Sequence, residues 1–260
     1  FTTNLAGATS SLTIADSQAY MRCHVTFSGT GAQTITQSAG TIDYGTWTIN
    51  NTATVSLASD LNFYTEADFT LNSGTFDVST HAFSLNSSGT TYSQGGGTFT
   101  ATNASSASFC GGCYIYAGTF NAPATLMSVY TTFTITSGNF VHNSGTVTFY
   151  ASNDYTITGG GAHFYNVIFN KTDVTTRTLQ LQNSFTIDND LTIKNESESG
   201  YHYYVRAPDD RYPTITVLGN VSFPSTEAVG ESIWGYQYNW GRFTTNLAGA
   251  TSSLTIADSQ

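Results

Sequence analysis

Gly97–Phe120 reads GTFTATNASSASFCGGCYIYAGTF, and it opens and closes on the same three letters. The triplet belongs to a series: Gly74-Thr75-Phe76, Gly97-Thr98-Phe99, Gly118-Thr119-Phe120 and Gly138-Asn139-Phe140. The phenylalanines recur at a nearly even spacing, and Gly40-Thr41-Ile42 reads as an earlier member. Glycine permits the positive φ of a corner, and the following Phe is expected to turn inward and fill it. A short, nearly constant spacing with strands inside it predicts one coil of a β-solenoid. A sandwich fits less well, because its strands need not recur in register.

The rest of the chain carries the same signal. Short alternating segments recur: Cys23–Phe27, Gln33–Thr36, Thr46–Ile49, Thr75–Val78, Thr132–Ile135, Tyr155–Thr158, Thr178–Leu181 and Thr214–Val217. Apolar residues occupy every second position, with Thr, Ser or Asn between, which is the period of a half-buried strand. Threonine suits the wet face, since its β-branch fits a pleated surface. No stretch has the periodicity of an amphipathic helix. The fold class expected is all-β: a parallel β-solenoid, or β-helix, right-handed because parallel crossovers are overwhelmingly so.

A longer period sits above the coil. Phe1–Gln18, FTTNLAGATSSLTIADSQ, returns letter for letter as Phe243–Gln260. Positions 1–242 are therefore read as one unit, and positions 243–260 as the start of the next in a head-to-tail tandem array. A fainter echo runs at about half that period, with one constant offset. It pairs Val25-Thr26-Phe27 with Val147-Thr148-Phe149, Thr34-Ile35-Thr36 with Thr156-Ile157-Thr158, and Asp68–Leu71 with Asp190–Ile193. It suggests half-repeats of about 1–121 and 122–242. At the spacing of the Gly-Thr-Phe series, one period would hold eleven or twelve coils and advance roughly 50–60 Å at the strand spacing.

Composition narrows the function classes. Charged residues are 9% of the chain, against roughly 25% in an ordinary soluble domain. Hydroxyls and amides replace them, a coat suited to the outside of a cell because its solvation is not screened by salt as ion pairs are. Net charge is −10 for the chain. That disfavours a nucleic-acid partner, which needs a basic face. No apolar run is long enough to cross a bilayer. No signal peptide stands at the start, and the chain opens on Phe rather than Met, which says nothing about secretion.

Thr156–Val167, TITGGGAHFYNV, resembles the T-I-T-G-G-G-x-x-F-Y-N-L stretches of very large repetitive secreted bacterial surface proteins of β-helical, adhesin-like type. The resemblance covers about Val147–Ile193, with a fainter copy at Val25–Leu71. It implies a parallel β-helix and an extracellular or cell-surface role, and it carries no functional residues with it.

Candidate chemistry is sparse. Tyr201–Pro213 breaks the alternation and reads as a loop or hairpin leaving the solenoid. In Ile233–Arg242, Trp234, Tyr236, Tyr238 and Trp240 line one face of a strand just before the period restarts. They fit packing between consecutive units, or stacking on sugar rings. Cys110-Gly111-Gly112-Cys113 has redox or metal spacing, but a thioredoxin-type reading needs a βαβ context. Zinc would need two more ligands, and His24, His81, His142 and His163 are scattered. A disulfide is expected instead, between Cys110 and Cys113 or from one of them to Cys23, with free buried thiols as the other reading. Asp188 and Asp190 alternate onto one side of a strand, and Asp209 and Asp210 are adjacent. Such carboxylates invite comparison with β-helices that cut polysaccharides, although Asp is also an ordinary turn residue. Six N-x-S/T sequons fall at Asn50, Asn86, Asn103, Asn170, Asn195 and Asn220.

No cofactor or metal is expected. The leading expectation is a structural protein of an extracellular filament or surface stalk, with copies of itself as partners. An adhesin that holds extracellular glycans or other cells is the alternative, and a polysaccharide-degrading β-helix is third.

Overall fold

The computed structural model describes residues 2–173, 175–196, 203–208, 212–223, 244–251 and 253–256. Among them every regular element is a strand and every strand pairing is parallel. The chain winds as a β-solenoid that lays one short strand on each of three faces per turn. In one turn Thr91–Gln94 lies on the first face, Thr98–Thr100 on the second and Ser106–Phe109 on the third. Gly112–Ile115, Thr119–Asn121 and Leu126–Val129 repeat the circuit directly above. The register sets Tyr92 under Cys113, Phe99 under Phe120 and Ala107 under Met127, so one ladder step here matches one interval of the Gly-Thr-Phe series.

On the first face, nine such steps lead from Thr2–Leu5 to Tyr203–Arg206. Those steps cover less than one full period, and their coils are on average slightly longer than the spacing of the series. The later coils are longer: Leu191 stacks under Val221, and Val221 under Leu254. Tyr203–Arg206 is itself a correction. It lies inside the stretch read as leaving the solenoid, yet it is a first-face strand paired with Arg177–Gln180 and holding Val205 in the core. Pro208 and Pro213 fall outside the strands, between Tyr203–Arg206 and Thr214–Val217.

Alternation explains the core. Phe76, Phe99 and Phe120 are fully buried, and Phe140 nearly so. Each lies in a second-face strand, and they stand in one column. The Phe99 and Phe120 rings stack with centroids 4.4 Å apart, and the Phe120 and Phe140 rings at 5.7 Å. Such contacts contribute about 0.5–1.5 kcal/mol each beyond their area burial. The bore is filled from the other faces by side chains such as Trp47, Phe63, Phe83 and Phe109.

The glycine before each Phe meets a steric demand. Gly74, Gly97 and Gly118 have φ of +74°, +64° and +82° at the corner between the first and second faces. A Cβ on Gly97 would stand 2.5 Å from the Gly74 carbonyl oxygen, and one on Gly118 would stand 2.3 Å from the Gly97 oxygen. Stacked turns bring backbone against backbone here, so only glycine fits. Gly40 also has positive φ, but it precedes the third-face strand segment Thr41-Ile42. It is a corner glycine of another column, not an earlier member of this one. Buried amides add side-chain hydrogen bonds at and beside the corners. Gln94 Nε2 donates to Gly97 O at 3.2 Å and to Thr119 O at 3.0 Å, and Asn51 Nδ2 donates to Gln33 Oε1 at 2.6 Å.

Two glycines with similar φ and different surroundings separate strain from crowding. Gly161 has φ +76° and nothing within 4 Å of a built Cβ. Gly161→Ala should therefore cost only the left-handed strain, about 1–2 kcal/mol. Gly97→Ala adds the clash and should cost about 2–5 kcal/mol. Urea unfolding of the two variants checks the order, and equal losses would show that the stacked corner is not tight.

Candidate functional site: a break in the second-face ladder

Among the described residues, the second face is the one whose ladder is interrupted. Asn139–Val141 pairs below with Thr119–Asn121, and His163–Phe164 pairs above with Phe185–Ile187, but no pairing joins the two. The coil between them passes through Gly159-Gly160-Gly161, where Gly160 and Gly161 both have positive φ. The result is a cleft of about 390 Å³ between adjacent turns, bounded by Ile135, Phe140, His142, Gly160, Gly161 and His163.

One carboxylate bridges the two histidines at this cleft. Asp188 lies in the corner that follows Phe185–Ile187, and its Oδ2 is 3.2 Å from His142 Nε2. Its Oδ1 is 2.9 Å from His163 Nδ1. The partners assign the tautomers. His142 Nδ1 accepts from the Ser144 backbone N–H at 2.9 Å, so its proton is on Nε2, the nitrogen that stands 3.2 Å from Asp188. Ionised Asp188 can only accept, so His163 donates from Nδ1. The His163 Nε2 lone pair is then presented on a side chain that is 59% exposed. The His142 ring lies against Tyr165, centroids 5.5 Å apart, which fixes it further.

Chemically this is an imidazole oriented by a carboxylate, the second and third members of a relay. No hydroxyl or thiol is hydrogen-bonded to His163 among the described residues. No group of three or more His, Cys, Asp or Glu there could hold a metal ion. His142 and His163 look scattered in the sequence. The signal that joins them is the coil: His163 follows His142 by one short coil, and Asp188 follows His163 by one longer coil.

Asp188 and Asp190 do not share a strand face, because the strand ends at Ile187. Asp190 Oδ1 accepts from the Asn220 backbone N–H at 2.8 Å and from Asn220 Nδ2 at 3.1 Å, tying one corner to the corner above it. Asp209, Asp210 and the aromatic series Trp234, Tyr236, Tyr238 and Trp240 lie outside the described residues.

The expected disulfide is not formed, and all three cysteines are free. Cys113 points into the bore between Tyr92 and Phe133. Cys23 precedes a first-face strand four turns below, roughly 19 Å away at the ladder spacing and beyond disulfide reach. Cys110 sits half-buried in a corner, where its backbone N–H donates to Leu85 O. The Gly111-Gly112 pair has a packing cause: a Cβ on Gly111 would fall 1.5 Å from Thr90 O. Of the sequons, Asn50, Asn86, Asn103 and Asn220 are exposed. Asn170 is buried and donates to Glu196 at 3.0 Å, and the Asn195 side chain is outside the described set.

No protein-family model matches this chain, and no curated protein or solved structure matches it. Among the described residues no helix is long and apolar enough to cross a membrane.

Burial pushes the Cys23 and Cys110 thiols above the ordinary 9.0 and the Cys113 thiol well above it. In native protein, iodoacetamide should label Cys110 slowly and spare Cys23 and Cys113, and all three should react after unfolding. Mass spectrometry counts them. A raised native pKa stabilises fully below the unfolded value and is lost as pH rises past it. Urea resistance should therefore fall as pH rises beyond the ordinary thiol range, and fall less in Cys113→Ala.

Proposed function

We propose that this chain is a structural segment of an extracellular filament or cell-surface stalk, built from tandem β-solenoid repeats. One observation carries the reading. The second copy of the repeated stretch continues the ladder: Thr244–Leu247 stacks on Thr214–Val217, and Leu254–Ile256 stacks on Val221–Phe223, in the parallel pairing used throughout. The start of one unit is thus the next turn of the unit before it. A solenoid built this way covers each turn's open edge with the following turn, and leaves edges only at its two ends.

Its work is mechanical. Backbone hydrogen bonds run along the axis, the aromatic and aliphatic bore resists lateral collapse, and the outward Thr, Ser and Asn side chains keep it wetted with few charges. The resemblance of Val147–Ile193 to repetitive secreted surface proteins points the same way.

An adhesive role on the same frame is the second reading, and half-buried aromatics aligned between turns bear on it. Tyr130 and Tyr150 stack with centroids 4.6 Å apart and planes 10° from parallel. That pair spends one face of each ring on the other, so the sugar-stacking surface of this reading is the series Trp234, Tyr236, Tyr238 and Trp240. The polysaccharide-cutting reading loses its carboxylate pair, because Asp188 and Asp190 do not share a strand face and Asp190 is held by Asn220.

The native chain on a reducing, denaturing gel should run at many hundreds of kilodaltons, and negative-stain images should show rods. A band near the 27.8 kDa of this sequence with compact particles would defeat the proposal. For adhesion, the expected result is glycan-array binding that is lost in Trp234→Ala and Trp240→Ala. Binding unchanged by both would remove the aromatic strand from the reading.

A further inference from the structure

The two copies of the repeated stretch are identical in sequence but do not occupy the same faces. Thr2–Leu5 lies on the first face, where it pairs with His24–Phe27, and Ser11–Ile14 lies on the second, paired with Gln33–Gln37. In the second copy, Thr244–Leu247 continues the second-face column of Phe185–Ile187 and Thr214–Val217. Leu254–Ile256 continues the third-face column of Leu191–Asn195 and Val221–Phe223. Both segments have moved on by one face.

The count of turns agrees. Nine steps lead along the first face from Thr2–Leu5 to Tyr203–Arg206. Thr214–Val217 is one face further, and Thr244–Leu247 is one step above that. One full period is therefore ten and one third turns.

The fainter half-period echo shifts by a constant amount too. Val25-Thr26-Phe27 is on the first face and Val147-Thr148-Phe149 on the third. Thr34-Ile35-Thr36 is on the second and Thr156-Ile157-Thr158 on the first. Phe69-Thr70-Leu71 is on the first and Leu191-Thr192-Ile193 on the third. Each pair is displaced by two thirds of a turn in the same sense. Two such displacements leave a net third, the rotation of the exact copy.

We infer that successive repeats of the array are rotated by one third of a turn about the solenoid axis, so that every surface feature is presented on three sides in turn. This rests on the tandem reading above and deepens it. Ten and one third turns advance roughly 50 Å, and the same face returns after three repeats, roughly 150 Å. The cleft with His142, Asp188 and His163 opens on the second face of one repeat, the third face of the next and the first face of the one after. The array has no single binding side, and its surface fits a partner that approaches from any direction, such as a second copy of the array packed on any flank.

Ladder register at one junction tests the rotation. Thr216 and Asn246 are register partners, the Thr216 side chain lies between the buried Ile215 and Val217, and Asn246 is exposed. Neighbouring parallel strands place such Cα atoms within disulfide range. In the full chain, Thr216→Cys with Asn246→Cys should bridge under mild oxidation, read by peptide mass mapping. If each repeat instead kept its faces, Asn246 would lie above Tyr203–Arg206. Bridging would then appear in Asn246→Cys paired with Tyr204→Cys or Arg206→Cys. A first-face bridge, or no bridge in any pair, overturns the inference. Electron micrographs of the same preparations judge the filament separately. Rods with a first-face bridge would leave the filament standing and remove the rotation. A second-face bridge without rods would do the reverse.

Discussion

The structure depends on one constraint: each residue must lie directly over its counterpart one turn below, at the spacing of a parallel ladder. A side chain that points inward meets a copy of its own environment above and below. That is why phenylalanine columns form at Phe99, Phe120 and Phe140. The same constraint is harsh at corners. There the stacked carbonyls of Gly74 and Gly97 leave no room for a Cβ, and the chain must turn left-handed in a fixed place on successive coils. Core and corner are two consequences of a single stacking rule.

Features that obey this rule turn after turn are legible in the sequence. Alternation marks the strands, and the Gly-Thr-Phe series marks the second-face column, because both repeat at the coil length. Features that the rule leaves free are not. Tyr203–Arg206 is hidden in the sequence by the prolines and charges that neighbour it, although Val205 keeps the inward position. Gly40 matches the triplet pattern but turns a different corner. His142, His163 and Asp188 come together across two turns of unequal length. A reader holding one fixed period would not superpose them, since the coil length drifts.

The cleft on the second face shows what happens where the rule lapses. Between Asn139–Val141 and His163–Phe164 the backbone ladder is missing, and side chains span the gap instead. Asp188 hydrogen-bonds His163 and stands 3.2 Å from His142 Nε2, so it meets a histidine of each flanking turn. A carboxylate shared by two imidazoles thus does locally what peptide groups do elsewhere. It also leaves His163 Nε2 facing water, which makes this a described place where titratable chemistry and an open surface coincide with a change in the scaffold.

Coil length also separates two quantities that are usually tied together. The step that begins at Met127 ends at Val147, whereas the steps that begin at Leu191 and Val221 end at Val221 and Leu254 and consume far more chain. Each of these steps climbs the same single strand spacing. Extra residues in a step add nothing to the height. Such a molecule measures distance in circuits rather than in residues, so insertions and deletions in its corners can accumulate while its graduations stay fixed.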